Sequence, residues 1–261
     1  MYTTLPEKNL KKYESRLFHM IDEQRIICTE IPHTSEEVKE KFLSIRSVTS
    51  AVSDALDQLG VQAAVSASVI KPLPGQINRT IVGNVVTLRF VPERVTVTQA
   101  VREKMKSKTA SRDVFALTQE GDVYVVDLGG AEISGCGGMA ATMAKNYGLA
   151  GMIIDGGVRD VPEIRELGIP TWSRHVTPIT CKHRVEAISI NGPVMVDKVQ
   201  VNPGDLCVAD DTGICFIPAG LVDQVLEICQ KTLEKEDRVM ELMGQGASVN
   251  DLVSVMPADQ W

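Results

Sequence analysis

Arg159 and Asp160 stand side by side after a two-glycine stretch, Asp155-Gly156-Gly157-Val158. A guanidinium is a permanent cation whose planar fork suits a carboxylate or a developing enolate oxygen. A carboxylate is a hard oxygen donor that can hold Mg²⁺ directly or through its water shell. About twenty residues upstream, Gly135-Cys136-Gly137-Gly138 opens a helix, so the backbone N–H groups of Gly138, Met139 and Ala140 can face a small anion. A helix N-terminus, an arginine and a metal-binding carboxylate together suit a 2-oxo acid: its carboxylate meets donors and its 2-oxo oxygen meets a Lewis acid. Each residue also has a plainer reading. Asp160 precedes a helix with Pro162 in its first turn and can serve as its N-cap, and Arg159 can pair with a surface carboxylate.

The elements that must position these residues follow from periodicity and punctuation. Residues 7–24 put Leu10, Tyr13, Leu17 and Ile21 on one stripe, which reads as an amphipathic helix. Residues 50–59 read as a helix closed by Gly60, and 81–91 and 123–128 are rich in Val and Ile, as strands are. A helix rich in Ala and Met spans 137–147 and ends at Gly148. The apolar run 152–154 then leads into a loop over 155–160, at the carboxyl end of a strand, where open α/β sheets bind ligands. A short helix follows, bounded by Pro162 and Gly168. Strand character resumes over 188–201 and 206–217, and 221–233 is helical, continued by a charged helix over 234–243.

Other candidates are weaker. Gly135-Cys136-Gly137-Gly138-Met139-Ala140 fits G-x-G-x-x-A with Asp155 downstream, but residues 129–134 separate the glycines from the strand ending at Leu128. The dinucleotide fingerprint demands an immediate strand-to-helix turn. Cys181-Lys182-His183 is a poor zinc fragment on its own. Cys136 has no adjacent base to make it a nucleophile, and Lys145 lies mid-helix with nothing to lower its pKa for Schiff-base chemistry. Asp210 and Asp211 read as a turn before Thr212-Gly213, and His175 and His183 lie beyond the loop.

The bulk numbers set limits on function. The chain has 261 residues, 44% hydrophobic and 23% charged, enough for a sizeable core; aromatics at 4% leave that core to aliphatic side chains. A net charge of −7 without a basic patch argues against nucleic acid. No apolar run reaches about 18 residues and the first residues carry no signal-like stretch, so a soluble, cytoplasmic protein is expected. The six cysteines form no C-x-x-C pair and read as small buried hydrophobes.

The run Gly137-Gly138-Met139-Ala140, followed by Ala150-Gly151-Met152-Ile153-Ile154-Asp155-Gly156-Gly157-Val158-Arg159-Asp160, resembles the 4-hydroxy-4-methyl-2-oxoglutarate/4-carboxy-4-hydroxy-2-oxoadipate aldolase family. That superfamily also holds the regulator of ribonuclease E activity A-like proteins. The stretches 49–57, Pro170-Thr171-Trp172-Ser173, Pro203-Gly204-Asp205 and Ala209 to Gly213 extend the likeness over roughly residues 46–245. The resemblance implies an α/β fold, a β/β/α swivelling-domain-like sandwich with N- and C-terminal helical extensions. The divisions expected are a helical extension over 1–45, an aldolase-like core over 46–220 and C-terminal helices over 221–261.

It further implies a class II aldolase of 4-hydroxy-2-oxo acids, dependent on Mg²⁺ or Mn²⁺, often with oxaloacetate decarboxylase activity, assembled as trimers or hexamers with sites between subunits. In that scheme Arg159 is catalytic, and Gly138, Met139, Ala140 and Arg159 bind the pyruvate part of the substrate. Asp160 binds the metal, aided by Glu236, or failing that Glu234, from a neighbour's C-terminal helix. One departure stands out: the acidic residue that many such aldolases carry twenty-one positions before the arginine is Gly138 here. The alternative from the same superfamily is a non-catalytic regulator that binds a protein partner; retention of both Arg159 and Asp160 favours the enzyme.

Overall fold

The computed structural model describes residues 8–257. Its first six strands are β1 (Ala64–Ser66), β2 (Lys71–Pro72), β3 (Ile81–Pro92), β4 (Val123–Asp127), β5 (Ser134–Cys136) and β6 (Gly151–Val158). The others are β7 (Thr171–Val176), β8 (Val185–Ile190), β9 (Val194–Val196), β10 (Val199–Val201), β11 (Leu206–Ala209) and β12 (Gly213–Ile217). The helices are α1 (Glu36–Leu43), α2 (Val48–Gln58), α3 (Val97–Arg102), α4 (Ser111–Ala116), α5 (Gly138–Asn146), α6 (Val161–Leu167), α7 (Val222–Gly244) and α8 (Val249–Val255).

A sheet of ten strands runs in the order β1-β12-β11-β3-β4-β6-β7-β2, with β5 added beside β6 and β8 beside β3. Its centre, β3-β4-β6-β7, is parallel and its flanks are antiparallel. Parallel strands are buried on both faces, and the alternation of side chains divides the core in two. Val123 and Val125 of β4 and Ile153 of β6 face one cluster, with α2 and α7. Tyr124, Val126, Met152 and Ile154 face the other, with α4, α5 and α6. This is the expected mixed α/β sandwich, with α7 as a single 23-residue helix. No helix of the described residues is long and apolar enough to cross a membrane.

Two local expectations are corrected. The stripe over 7–24 is not an α-helix: its described part makes the 3-10 turns Leu10–Lys12 and Glu14–Arg16, then non-helical chain up to a third 3-10 turn at Glu23–Arg25. The N–H groups of Phe18 and Met20 donate to the buried carboxylate of Asp113 at 2.6 and 2.7 Å instead of to helical carbonyls, and His19 between them is left-handed. The apolar stripe still packs, with Tyr13 and Ile21 buried in the second cluster and Leu10 and Leu17 against it.

The expected loop over 155–160 is also shorter, because β6 continues to Val158. Gly156 and Gly157 serve as strand residues: a Cβ on Gly156 would lie 2.7 Å from Leu128 Cβ, and one on Gly157 2.9 Å from Ile133 O. Close backbone approach, rather than a turn, accounts for the pair. The six cysteines are free thiols, five of them buried.

Candidate active site

Strand β5 has too few residues to leave a periodic signal, yet it brings the two halves of the site together. It pairs parallel with the end of β6, Cys136 opposite Val158, and Arg159 N–H donates to Cys136 O at 3.0 Å. Gly137 and Gly138, which open α5, therefore lie against Arg159 and Asp160, which close β6. A Cβ on Gly137 would stand 2.7 Å from Asp160 Oδ2 and 2.9 Å from Arg159 Nε, so a side chain there would push these two groups from their places.

Asp160 occupies the N-cap position of α6 but makes no capping bond to it. Its backbone is left-handed, φ 55° and ψ 37°, a conformation that Asp tolerates better than most residues. The side chain turns instead to α5, where Oδ2 accepts from Gly138 N–H at 3.0 Å and lies 3.3 Å from Arg159 Nε. The bland role is thus replaced by another: Asp160 caps the helix across the site. Gly138 N–H, expected to be free for an anion, is taken by this carboxylate. The N–H groups of Met139 and Ala140 have no acceptor among the described residues, as the first turn of a helix dictates.

Those two residues, Gly137 and Arg159 line a cavity of about 650 Å³, within the roughly 300–1,000 Å³ usual for small-molecule sites. The rest of its polar wall includes Lys106, Arg112, Lys182 and His183, and no Asp or Glu among the described residues lines it. Ser107 Oγ, also in the wall, is buried without a hydrogen-bond partner among the described residues. Lys106 and Arg112 come from the segment before and into α4, far from the glycine motif in sequence. No local pattern marked them. Lys182 and His183 were visible only as part of a poor zinc fragment.

Asp160 stands outside the cavity wall, joined to it through Arg159 and Gly137. Glu236 lies on α7, 3.9 Å from Arg46, and does not line the cavity.

The weaker candidates are resolved by their surroundings. Cys136 lines the cavity, but burial pushes its thiol up to about 12, far from a thiolate nucleophile. Lys145 is exposed on α5, and the His175 ring is tied to Gly130 O at 3.1 Å. Strand β5 does supply the strand-to-helix turn that the dinucleotide fingerprint requires. However, Asp155 is buried against Arg174 Nε at 2.6 Å and accepts Asp197 N–H at 2.7 Å, so it cannot reach a ribose. Asp210 is a turn residue, accepting from Thr212 N–H and Thr49 Oγ1, each at 2.7 Å.

A family model described as RraA-like, Aldolase/RraA, matches residues 49–216. A protein of Halalkalibacterium halodurans named putative 4-hydroxy-4-methyl-2-oxoglutarate aldolase is 31% identical over 185 residues, 70% of this chain and 78% of that one. A Thermus thermophilus protein named 4-hydroxy-4-methyl-2-oxoglutarate aldolase is 32% identical over 108 residues, 41% of this chain and 65% of its own length. Among solved structures, a Streptomyces coelicolor protein described as an unusual member of the RNase ES inhibitor RraA protein family superposes with a TM-score of 0.65. It is 27% identical, over 78% of this chain and 96% of that one. The chain that places Arg159 and Asp160 against a glycine-opened helix belongs to the RraA-like, Aldolase/RraA family.

Proposed function

We propose that this protein is an aldolase-type lyase that breaks the carbon–carbon bond of a 4-hydroxy-2-oxo acid, releasing pyruvate, with oxaloacetate decarboxylation as a related reaction. One observation carries the reading: Arg159 and the N–H groups of Met139 and Ala140, without acceptors among the described residues, share the wall of a cavity that no described Asp or Glu lines. In this scheme the two N–H groups hold the substrate carboxylate at the positive end of α5. The Arg159 guanidinium meets the 2-oxo oxygen, where negative charge grows as the bond breaks and an enolate forms. Lys106, Arg112 and Lys182 would face the far end of the substrate, which suits an acid with a second carboxylate. The relatives' names describe such an acid.

In this scheme a hard divalent cation would be held on Asp160 alone within one chain, since the described residues hold no group of three or more His, Cys, Asp and Glu that could bind a metal. Asp160 Oδ1 accepts no hydrogen bond among the described residues, and the side chain is 41% exposed, open to water. Mg²⁺ or Mn²⁺ held there would supply Lewis-acid polarisation of the 2-oxo oxygen. In a trimer or hexamer, Glu236 of a neighbouring subunit would add a carboxylate to the water shell.

The test is pyruvate release from 4-hydroxy-4-methyl-2-oxoglutarate and from oxaloacetate, with Mg²⁺ and with excess chelator. Release that requires the cation is the expected result; full activity in chelator after dialysis overturns the metal-dependent scheme. No release from any 2-oxo acid would favour the second reading, a regulator that binds a protein partner, which the description of the Streptomyces relative supports.

A further inference from the structure

One wall of the cavity comes from far away in the sequence: Met20, in the N-terminal segment, lines it together with Lys106 and Arg112. Non-helical chain holds its place only where its backbone polar groups find partners. Here the N–H groups of Phe18 and Met20 donate to Oδ1 and Oδ2 of Asp113 at 2.6 and 2.7 Å, and that carboxylate is fully buried. The segment so anchored touches both cations. Lys106 Nζ donates to His19 O at 3.1 Å, and the Arg112 guanidinium lies over the Phe18 ring, 5.5 Å from its centroid. A cation that close to a ring face is attracted by it. Lys106 keeps two further donors and Arg112 its fork, and neither pairs with a carboxylate among the described residues. Ser107, next to Lys106 in the chain, has its hydroxyl buried without a partner among the described residues. Buried hydroxyls are ordinarily hydrogen-bonded, so this wall is cationic and short of an acceptor.

We propose that residues 18–20, clamped by Asp113, set the specificity of the cavity. They fix Lys106 and Arg112 to receive a second carboxylate at the far end of the substrate, and Met20 borders that end. The inference rests on the reading of the cavity as a 2-oxo acid site. Phe18, His19 and Asp113 are positioning residues that act through the two cations. A lysine and an arginine already held in place lose less side-chain freedom when the substrate arrives, and the affinity for its far carboxylate rises accordingly. A 2-oxo acid with an uncharged far end gains nothing from that preparation.

The test compares kcat and KM for pyruvate release from 4-hydroxy-4-methyl-2-oxoglutarate, which has two carboxylates, and from 4-hydroxy-2-oxopentanoate, which has one. Asp113→Asn offers one acceptor oxygen to two N–H groups, so amide exchange at Phe18 and Met20 is expected to quicken. KM for the two-carboxylate substrate is then expected to rise about tenfold with little change in kcat, and the rise should be confined to that substrate. Phe18 is 48% exposed, so Phe18→Ala leaves the fold intact, and it is expected to raise the same KM about 2–5-fold. It decides the matter if Asp113→Asn does not fold. Equal losses on both substrates, or a KM that ignores the substitutions, would overturn the inference and leave the lyase reading standing. Wild-type protein that releases no pyruvate from either acid would overturn both.

Discussion

Asp160 Oδ2 and Gly138 N are 3.0 Å apart, a bond across 22 residues of chain that links the end of β6 to the start of α5. It explains how an aspartate at the head of one helix comes to serve another. The left-handed backbone at Asp160 swings the side chain away from α6, and the glycine pair at 137–138 leaves room for it to land. The same contact holds Arg159 at the cavity wall by pairing with its Nε.

Asp160→Asn separates these roles. The amide oxygen can still accept from Gly138 N–H, so the melting temperature is expected to stay near that of the wild type. A neutral amide is a poor ligand for a hard divalent cation, and pyruvate release should drop on the order of a hundredfold. Wild-type activity in this variant would make Asp160 purely a cap.

Arg159 is expected to act on charge that grows in the transition state. Its replacement should therefore lower kcat by about 10²–10³-fold and change KM little. Arg159→Lys should be nearly as damaging as Arg159→Ala, because an ammonium lacks the planar fork. If Glu236 serves a neighbour's site, co-refolding inactive Arg159→Ala and Glu236→Ala subunits should restore part of the activity. No recovery despite proven subunit exchange would place the site within one chain or discard Glu236.

Cys136 lines the cavity, but its buried thiol, pushed up to about 12, is protonated at neutral pH. Native protein at pH 7.5 should leave Cys136 unalkylated by iodoacetamide, as read by peptide mass mapping. Cys136→Ala should retain most of the pyruvate release. Rapid alkylation at Cys136 with matching loss of activity would reinstate it as a nucleophile.

Burial pushes the Asp205 carboxyl up to about 6, although the N–H groups of Asn202 and Ala219 donate to it at 2.8 and 3.3 Å. Between the ordinary Asp range and about 6 the folded state binds more protons than the unfolded state, so this group lowers stability as pH rises through that window. Asp205→Asn removes the titration. The melting temperature of the variant minus that of the wild type should therefore grow from pH 4 to pH 6 and level off above it. A difference independent of pH would mean that Asp205 ionises normally in the fold.

Much of the frame is legible in local pattern. The Val- and Ile-rich runs over 81–91 and 123–128 become the buried parallel strands β3 and β4, because a strand covered on both faces needs apolar residues at nearly every position. Pro162 and Gly168 bound α6, one in its first turn and the other just past its end. Backbone punctuation and hydrophobic period are properties of neighbours in sequence, so they can be read there.

The site itself depends on contacts between segments far apart. The aim of Asp160 at α5 and the meeting of Lys106, Arg112 and Lys182 around one cavity both depend on how segments pack. The pairing of Cys136 with Val158 sets where α5 begins relative to the end of β6, and a three-residue strand leaves no periodic trace. The stripe over 7–24 shows the same limit from the other side. Its apolar spacing foretold which residues are buried but not their backbone, because the Asp113 carboxylate, over ninety residues away, captured the N–H groups that a helix would have used.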